Sequence, residues 1–351
     1  MSKTPRIAST QALAEHLGLS RWTVSRALNG HPDIKEATRA RVLEAMKSEG
    51  FAPDPLARGL RGGSTGLVGV CFQELENPLL MQKVASLQDH LRTAGYQPDT
   101  QHTSNDPKTE THVISRFISM RAEAVILFNT ELHAEDPAIE SLLESKVTTI
   151  CIDPVHALPF PTIRVARERA YPQAMRHLHE QGHRKFALLG LEEGVIYGKD
   201  RMSGIHACLE ELNLDRDTCL SAYIGPGRER LDFRYGYDLA DKALEAQEDA
   251  TAWIGLNDRI AIGAARRIAE AGKRIPQDIA LAGFDNNEAT AFLTPTLTSV
   301  DQCVNEQMDS VMALLAHAKE SAAPLDPKFL KIIEPVLIVR ESTLFEKSEN
   351  L

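Results

Sequence analysis

The sequence predicts an all-α domain at the N-terminus, followed by a larger α/β domain made of two parallel-sheet lobes. Residues 6–50 contain three short helical segments, and residues 53–63 (PDPLARGLRGG) are rich in Pro and Gly, as linkers between domains are. From Gly66 onward, unbroken apolar runs alternate with amphipathic segments, which is typical of parallel strands covered by helices on both faces. A chain of 351 residues is long enough for two or three folded units.

The N-terminal segment divides into helices at its capping residues. The first helix is predicted from about Thr10, as N-cap, to Leu17, and Gly18 supplies the stop. Ser20 is expected to cap a second helix, RWTVSRALN, which ends at Asn29-Gly30. The third helix carries apolar residues at core spacing: Val42, Leu43 and Met46.

The larger domain contains six apolar runs that are predicted to be buried strands: GLVGVCF, AEAVILF, VTTICID, RKFALLGL, ATAWIGL and IALAGFD. The alternation of strand and helix restarts near RKFALLGL, which indicates two similar lobes. Ligands of such sheets bind at the carboxyl ends of the strands, so a ligand site is expected between the lobes. Trp253 lies within a run and is expected in the core.

Charge is distributed unevenly. The whole chain has a net charge of −10, but residues 1–63 carry +4 and the remainder −14. A basic N-terminal domain on an acidic body suits a protein that meets phosphates through that domain alone. The sequence has no run of eighteen apolar residues and begins without a signal-peptide pattern, and its five cysteines are scattered. We therefore expect a cytoplasmic protein without membrane contact.

The segment ALAEHLGLSRWTVSRALNG has the spacing of a helix-turn-helix. Ala14 is small where two helices cross closely, and Gly18 provides the positive φ of the turn. With Val24 and Leu28 facing the core, Arg21, Trp22 and Arg26 would lie on the outward face near the helix start, where side chains reach base edges. Arg forms a bidentate pair with guanine, and Trp22 could pack on a thymine methyl group.

Contacts with DNA are predicted from the second helix and its cap: Ser20, Arg21, Trp22, Thr23, Ser25, Arg26 and Asn29. Thr23, Ser25 and Asn29 have the size for phosphate contacts. The alternative is a small helical bundle that merely has a basic surface.

Several segments together resemble the lactose/galactose repressor family: LSRWTVSRALNG, FAPDPLARGL, HLHEQGHRKFALLG, GLNDRIAIGA, IPQDIALAGFDN and LTPTLTSVDQ. The resemblance covers essentially the whole chain. It implies a periplasmic-binding-protein-like effector domain with two Rossmann-like lobes, and an obligate dimer that binds a pseudo-palindromic operator, usually as a repressor. The implied domains are a headpiece (1–52), a hinge (53–65) and an effector domain (66–345), with an N-lobe (66–163 and 302–326) and a C-lobe (164–299 and 329–345).

The resemblance also implies hinge helices that lie in the central minor groove. Leu60 matches the family's wedge between base pairs, and Ala57 matches the small residue beside it. Leu60 could instead be a linker residue without a role. Two residues depart from the family pattern: Lys35 stands where Ser usually caps the third helix, and Gly59 makes a hinge helix costlier to form.

Effector contacts implied by the resemblance fall on Gln73, Glu74, Arg201, Asn257 and Asp285. Such a set would hold a polar small molecule, a sugar or a related metabolite. Arg201 and Asp285 could instead pair with each other across the cleft. Asp258 is expected to be the N-cap of a helix rather than an effector ligand.

One departure affects the effector class. Val165-Ala166 replace the Asp-Asn that the family commonly carries before the helix leading to His183. Arg164, Arg167 and Arg169 follow closely. They favour either an anionic effector or, more simply, a solvated basic face.

One segment resembles a metal-binding motif. His179-Glu180-Gln181-Gly182-His183 matches the zinc motif H-E-x-x-H, but Gly182 is predicted to end the helix and so to move His183 off the required face. We expect no metal, no cofactor and no catalytic residue. A solute-binding protein or a sugar-metabolising enzyme would share the two-lobed domain, but neither needs the first 63 residues. The tail STLFEKSENL lacks a leucine heptad, so a dimer is expected.

Overall fold

The computed structural model describes residues 9–28, 31–49, 65–194, 197–226, 231–321 and 323–345. The chain divides into two compact units with a boundary between Leu67 and Val68. In the described part of the chain, none of the helices is long and apolar enough to cross a membrane.

The N-terminal unit contains the three predicted helices, α1 (Thr10–Leu17), α2 (Arg21–Leu28) and α3 (Glu36–Glu49). The N-cap of α1 is Ser9 rather than the predicted Thr10, because the Ser9 hydroxyl accepts the amide of Ala12 at 3.1 Å. Gly18 has φ +64° and ends α1 as predicted. Ser20 caps α2 as predicted, since its hydroxyl accepts the Thr23 amide at 3.0 Å.

The core of this unit is small. Leu13, Val24 and Val42 are fully buried, and Ala14 is 1% exposed at the crossing of α1 and α2. The expectation for Leu43 was wrong: its side chain is exposed. Helix α3 presents only a narrow apolar stripe, in which Val42 and Ala45 point inward, so Leu43 lies one position off the buried face.

The C-terminal unit contains two six-stranded sheets. The strands of the first sheet, which defines the N-lobe, are β1 (Leu67–Phe72), β2 (Gln97–His102), β3 (Ala124–Phe128), β4 (Thr148–Ile152), β5 (Thr162–Val165) and β11 (Leu330–Ile333). Its helices are α4 (Pro78–Thr93), α5 (Pro107–Ser119), α6 (Pro137–Ser145) and α12 (Val304–Ser321). The strand order is β11-β5-β4-β3-β1-β2.

The second sheet defines the C-lobe. Its strands are β6 (Phe186–Leu189), β7 (Leu220–Tyr223), β8 (Ala252–Gly255), β9 (Ala280–Asp285), β10 (Thr298–Asp301) and β12 (Val336–Ile338). Its helices are α7 (Arg167–Glu180), α8 (Gly198–Glu211), α9 (Arg216–Cys219), α10 (Phe233–Glu245) and α11 (Asp258–Glu270), with short 3₁₀ turns at Glu288–Ala291 and Glu341–Thr343. The strand order is β12-β10-β9-β8-β6-β7.

The two sheets repeat one topology, as the restart of the sequence pattern predicts. The order β5-β4-β3-β1-β2 in the N-lobe corresponds to β10-β9-β8-β6-β7 in the C-lobe. The chain passes between the lobes after β5, after β10 and after β11. The predicted lobe boundaries need correction here, because β5 and β11 pair with each other in the N-lobe sheet. The crossings therefore lie near Ala166 and Glu334, not at 164 and 329.

The sequence pattern identified the central strands and missed the edges. All six predicted runs contain strands, and Trp253 lies in β8 with 1% of its surface exposed. The strands without a clear pattern include the four at the sheet edges, β2, β7, β11 and β12, whose residues are mostly half-buried. An edge strand meets solvent, so its sequence lacks the continuous apolar run of a central strand.

Helices α10 and α11 pack at very short range. A Cβ added at Gly263 of α11 would lie 1.9 Å from the carbonyl oxygen of Phe233, and one added at Gly236 of α10 would lie 2.1 Å from that of Ile260. Backbone cannot yield as a flexible side chain does. The two glycines therefore fix the separation of the helices that cover one face of the C-lobe sheet.

We predict that Gly263→Ala lowers the free energy of unfolding by about 1–3 kcal/mol, because the helices must separate to admit the methyl group. Urea unfolding followed by Trp253 fluorescence measures this, in a Trp22→Phe background that leaves one tryptophan. Gly194→Ala is the control, since among the described residues its added methyl group would come nearest to the Glu192 carboxylate, at an ordinary contact distance of 3.7 Å. Equal stability of the two variants would contradict the close-packing argument.

Candidate functional site

The outward face of α2 carries the predicted DNA-contacting residues. Arg21 and Trp22 are exposed in the first turn, with 62% of Trp22 accessible. Val24 and Ala27 are buried on the opposite face, and Leu28 packs against the core at its edge. Thr23 and Ser25 are half-buried, and the Thr23 hydroxyl is 2.8 Å from that of Ser20. Helix α2 thus presents a cationic and aromatic surface next to two hydroxyl groups.

Arg26 lies in the last turn of α2 rather than near its start, on the same face as Trp22. Its guanidinium carbon is 4.3 Å from the centre of the Trp22 ring. It also contacts His31 and Asp33, which follow the helix. The other predicted DNA-contacting residues, Asn29, Ala57 and Leu60, lie outside the described residues, as does Gly59.

The cleft between the lobes of the C-terminal unit brings Arg201 and Asp285 close to each other. Arg201, in the first turn of α8, lies 5.7 Å from the ring centre of Phe284 and 5.9 Å from those of Tyr171 and Tyr197. Asp285 follows Phe284 at the end of β9, with φ 110°, a strained value for a residue other than glycine. Three aromatic rings thus surround a cation beside a carboxylate.

The remaining predicted effector residues have structural partners as well. Gln73, buried at the end of β1, accepts a hydrogen bond on its carbonyl from the His102 ring. Asn257 is the N-cap of α11: its side chain accepts the Ile260 amide at 2.9 Å and donates to the Leu231 carbonyl at 3.2 Å. The prediction that Asp258 caps this helix was therefore wrong.

Asp258 instead lies in the first turn of α11 with its carboxylate fully buried. It accepts the Asn287 amide at 2.7 Å and the Ser299 hydroxyl at 2.6 Å. The next residue, Arg259, reaches the N-lobe: it donates to the Glu76 carbonyl at 3.1 Å and lies 3.9 Å from the Glu74 carboxylate. Glu74 therefore takes part in a contact between the lobes.

A buried ionic network, centred on Asp153, lies at the base of the cleft. Asp153 directly follows β4, and its carboxylate accepts hydrogen bonds from Lys83 at 2.9 Å, from Arg167 at 2.8 Å and from the Val165 amide at 3.0 Å. Lys83 also donates to Gln302 at 3.0 Å. The side chains of Asp153, Lys83 and Arg167 are at most 5% exposed.

The network continues into the C-lobe. Gln302, in the second crossing between the lobes, donates to Asp285 at 2.7 Å. Tyr197, from the start of α8, donates its hydroxyl to the Asp153 carbonyl, and its ring stacks 3.9 Å from the Arg167 guanidinium carbon. Hydrogen bonds therefore connect the N-lobe residue Lys83 with the predicted effector residue Asp285.

The charges in the network act unequally on its carboxylates. Burial alone would raise the pKa of Asp153, but Arg167 and Lys83 hold that pKa well below its usual range. Burial raises the pKa of Asp285 to about 6, although its hydrogen bond from Gln302 and the charge of Arg201 oppose this. Burial and the charge of Asp285 also raise the pKa of Asp258. Ionised Asp285 is thus the less compensated charge.

Arg164, Arg167 and Arg169 do not form one solvated face. Arg164 pairs with Glu168 and Asp200, and Arg169 pairs with Glu334. Arg167 points inward to Asp153, directly after the buried Val165-Ala166 that replace the expected polar pair. Arg167 thus supplies a polar side chain to the cleft, one position after Val165-Ala166, where the family pattern has its polar pair.

Sequence reasoning missed Lys83, Asp153, Tyr197 and Gln302 as residues of the cleft. Two signals were available. Asp153 ends a predicted strand, at the edge where ligands bind, and Lys83 occupies an apolar position between Leu79, Leu80 and Leu87 on α4.

The H-E-x-x-H segment behaves as predicted, since α7 ends at Glu180 and Gly182 has φ 102°. His183 then bonds to Thr251 at 2.8 Å.

Comparison with known proteins identifies both units. Residues 11–54 match the model of bacterial regulatory proteins of the lacI family, and residues 175–343 match a periplasmic binding protein-like domain. The chain is 28% identical to catabolite control protein A of Priestia megaterium, over 83% of this chain and 86% of that protein. It is 26% identical to the HTH-type transcriptional repressor PurR of Mannheimia succiniciproducens, over 96% of this chain and 98% of that protein.

Solved structures share the fold. The lac repressor dimer bound to operator and the anti-inducer ONPF matches with a TM-score of 0.80 and 22% identity, over 96% of this chain and 99% of that one. The transcriptional regulator CelR in complex with cellobiose matches with a TM-score of 0.66 and 23% identity, over 95% and 99%.

A helix-turn-helix followed by a two-lobed effector-binding domain defines a DNA-binding transcriptional regulator. The chain combines a DNA-binding domain of the lacI family of bacterial regulatory proteins with a periplasmic binding protein-like domain.

We predict that Asp285→Asn stabilises the protein at neutral pH by about 1–2 kcal/mol, since one pKa unit corresponds to about 1.4 kcal/mol and partial solvent access reduces the effect. A carboxyl group with a pKa near 6 when folded, and about 4 when unfolded, binds its proton more tightly in the folded state. Stability is therefore lost as the pH rises from about 4 to about 6.

Urea unfolding of both proteins across this pH range measures the difference. The variant should gain on the wild type as the pH rises and match it at the acid end. A variant that is less stable than the wild type at neutral pH would contradict the assigned cost of ionising Asp285.

Proposed function

We propose that the chain is a transcriptional repressor that acts in the cytoplasm and binds a pseudo-palindromic operator as a homodimer. Its affinity for the operator is controlled by a small polar effector, a sugar or a related metabolite, bound between the lobes of the C-terminal unit. We propose no catalytic activity for it.

The observation that carries this proposal is that one chain has both a helix face suited to DNA and a polar cleft suited to a small molecule. Helix α2 exposes Arg21 and Trp22, and the cleft places Arg201 beside Asp285 within an aromatic surround. Repression is supported by the relative named as a repressor, and the dimer and the operator by the lac repressor complex. A sugar-like effector is supported by the CelR–cellobiose complex.

In this proposal α2 lies in the major groove. Arg21, Trp22 and Arg26 read base edges, while Ser20, Thr23, Ser25 and Asn29 contact phosphates. The hinge residues Ala57 and Leu60 contact the minor groove, where Leu60 acts as a wedge.

The effector controls DNA binding through the position of the lobes. Tyr197 bonds to Asp153, and Arg259 bonds to Glu76, so opening the cleft must break hydrogen bonds that join the lobes. An effector shifts this equilibrium only by the difference in its affinity for the two positions. In a dimer, the lobe position sets the spacing of the two hinges and headpieces.

The DNA-binding proposal is tested by selecting duplexes from a random pool and titrating the best one at two salt concentrations. Arg26→Ala should cost about 1–3 kcal/mol on the selected duplex and relax base preference at one position of each half-site. Lys47→Ala, which removes an equal charge from an exposed position on α3, should weaken all duplexes alike.

A selected palindrome that is bound far more tightly than scrambled DNA is the expected result. Binding that is weak, steeply salt-dependent and without a preferred sequence would overturn the proposal of sequence-specific recognition. An equal loss for Arg26→Ala on selected and scrambled DNA would assign Arg26 to phosphate contact alone.

The effector proposal is tested by screening sugars and related metabolites for a change in operator affinity. We predict that Arg201→Ala abolishes the response to an active compound and leaves operator binding in its absence intact. Lys199→Ala, an exposed neighbour in the same turn of α8, is the matched control and should respond normally. An unchanged response of the Arg201 variant would place the effector elsewhere.

A further inference from the structure

The guanidinium of Arg26 is held from three directions by other residues of the N-terminal unit. Nη1 donates to the Asp33 carboxylate at 3.0 Å, and Nη2 is 2.7 Å from Nε2 of His31. The Trp22 ring covers one face at 4.3 Å. These contacts join the last turn of α2 to the segment that precedes α3, so they position the side chain relative to the whole unit.

The segment that holds Arg26 is itself fixed. Arg39 of α3 donates to the His31 carbonyl at 3.0 Å. Because a guanidinium only donates, Nε2 of His31 must accept. On the other side of the ring, Nδ1 lies 3.4 Å from the Asp33 amide nitrogen and 3.3 Å from the Asp33 carboxylate. The His31 ring therefore contacts both Arg26 and Asp33.

The charge of Asp33 contributes little to folding stability and does not by itself favour DNA binding. Its carboxylate is 62% exposed, and an exposed ion pair contributes little to folding. A negative charge beside the predicted reading helix opposes the phosphates of any duplex. The arrangement is explained if it serves the orientation of Arg26.

We propose that Asp33, supported by His31, is a positioning residue that determines the base specificity of Arg26. This rests on the proposed function, in which α2 reads DNA. Within the described part of the unit, the contacts with Asp33 and His31 use two of the five N–H groups of the guanidinium, and a guanine needs two others for a bidentate pair. The side chain is already ordered before DNA is met, so recognition loses less conformational entropy.

The same carboxylate lowers the affinity for every duplex, because its charge repels the phosphate backbone. On a site without the matching base, Arg26 gains no bidentate partner that would offset this repulsion. Binding to wrong sequences therefore stays weak.

The test compares Asp33→Asn with Glu36→Gln in the full-length protein. Both changes remove one exposed negative charge from the same unit, and Glu36 contacts Arg39 at 3.5 Å rather than Arg26. The probes are a duplex selected from a random pool by the wild type and a scrambled duplex of equal composition. Both variants should bind the scrambled duplex more tightly than the wild type does, because one repulsive charge is gone.

Only Asp33→Asn should reduce the ratio of selected to scrambled affinity, by about tenfold, the scale of one bidentate base contact. Reselection from the random pool should then show relaxed preference at the position that Arg26→Ala relaxes. In an Arg26→Ala background, Asp33→Asn should change the ratio no more than Glu36→Gln does.

The outcomes separate this proposal from the proposed function. If the wild type selects no sequence at all, the DNA-reading function fails and the positioning role fails with it. If the wild type is specific but Asp33→Asn and Glu36→Gln have the same ratio of selected to scrambled affinity, the function stands and the positioning role is overturned. A reduced ratio that persists without Arg26 also overturns it. Circular dichroism verifies that each variant is folded, and His31→Ala provides a second route, with the same relaxed position expected.

Discussion

The buried carboxylate of Asp153 is the interaction on which the geometry of the C-terminal unit depends. It receives Lys83 from the N-lobe helix α4, the Val165 amide from β5 and Arg167 from the first helix of the C-lobe. Its own backbone carbonyl receives Tyr197. One residue at the end of one strand thus joins both lobes and the first crossing between them.

Such a network is not explained by stability. Burying charges costs desolvation energy that an ion pair often only offsets, and an apolar set of similar volume is frequently as stable. Removing one member, however, leaves its partner charged and unpaired, which costs about 3–5 kcal/mol. The network therefore penalises every arrangement of the lobes except those that keep all partners in place. We infer that it limits the cleft to a few defined positions, which is what a regulator that responds to an effector requires.

Asp285 is joined to this network through Gln302 and differs from Asp153 in its electrostatics. The cations that hold the pKa of Asp153 low stand in direct contact with it. The half-buried Asp285 is less compensated, and it lies near Asp258, whose pKa is also raised. Its backbone is also strained. A carboxylate kept at such a cost is typical of a site whose charge is completed by a ligand. This reasoning supports Asp285 as an effector residue independently of any family pattern.

The sequence predicted the central strands and the turn chemistry, because both are local signals. Gly18 and Ser20 act as their residue types require, and the apolar runs are the buried strands. It failed where the outcome depends on tertiary contacts. Arg167 resembles its neighbours Arg164 and Arg169 in the sequence, and only the position of Asp153 after β4 makes it a buried residue. Sequence alone likewise could not show that Asp33 meets Arg26, since seven positions separate them along the chain.

The uneven charge of the chain adds a last constraint. A C-terminal unit with a net charge near −14 is repelled by the DNA backbone, so the attraction to phosphates must come from the first 63 residues, whose net charge is +4. That excess is small, and six acidic residues already reduce it. A strongly basic headpiece would bind any duplex and lose selectivity. With a modest charge, nonspecific binding stays weak and base contacts decide where the protein stays, so the orientation of a single arginine has a large effect on the choice of site.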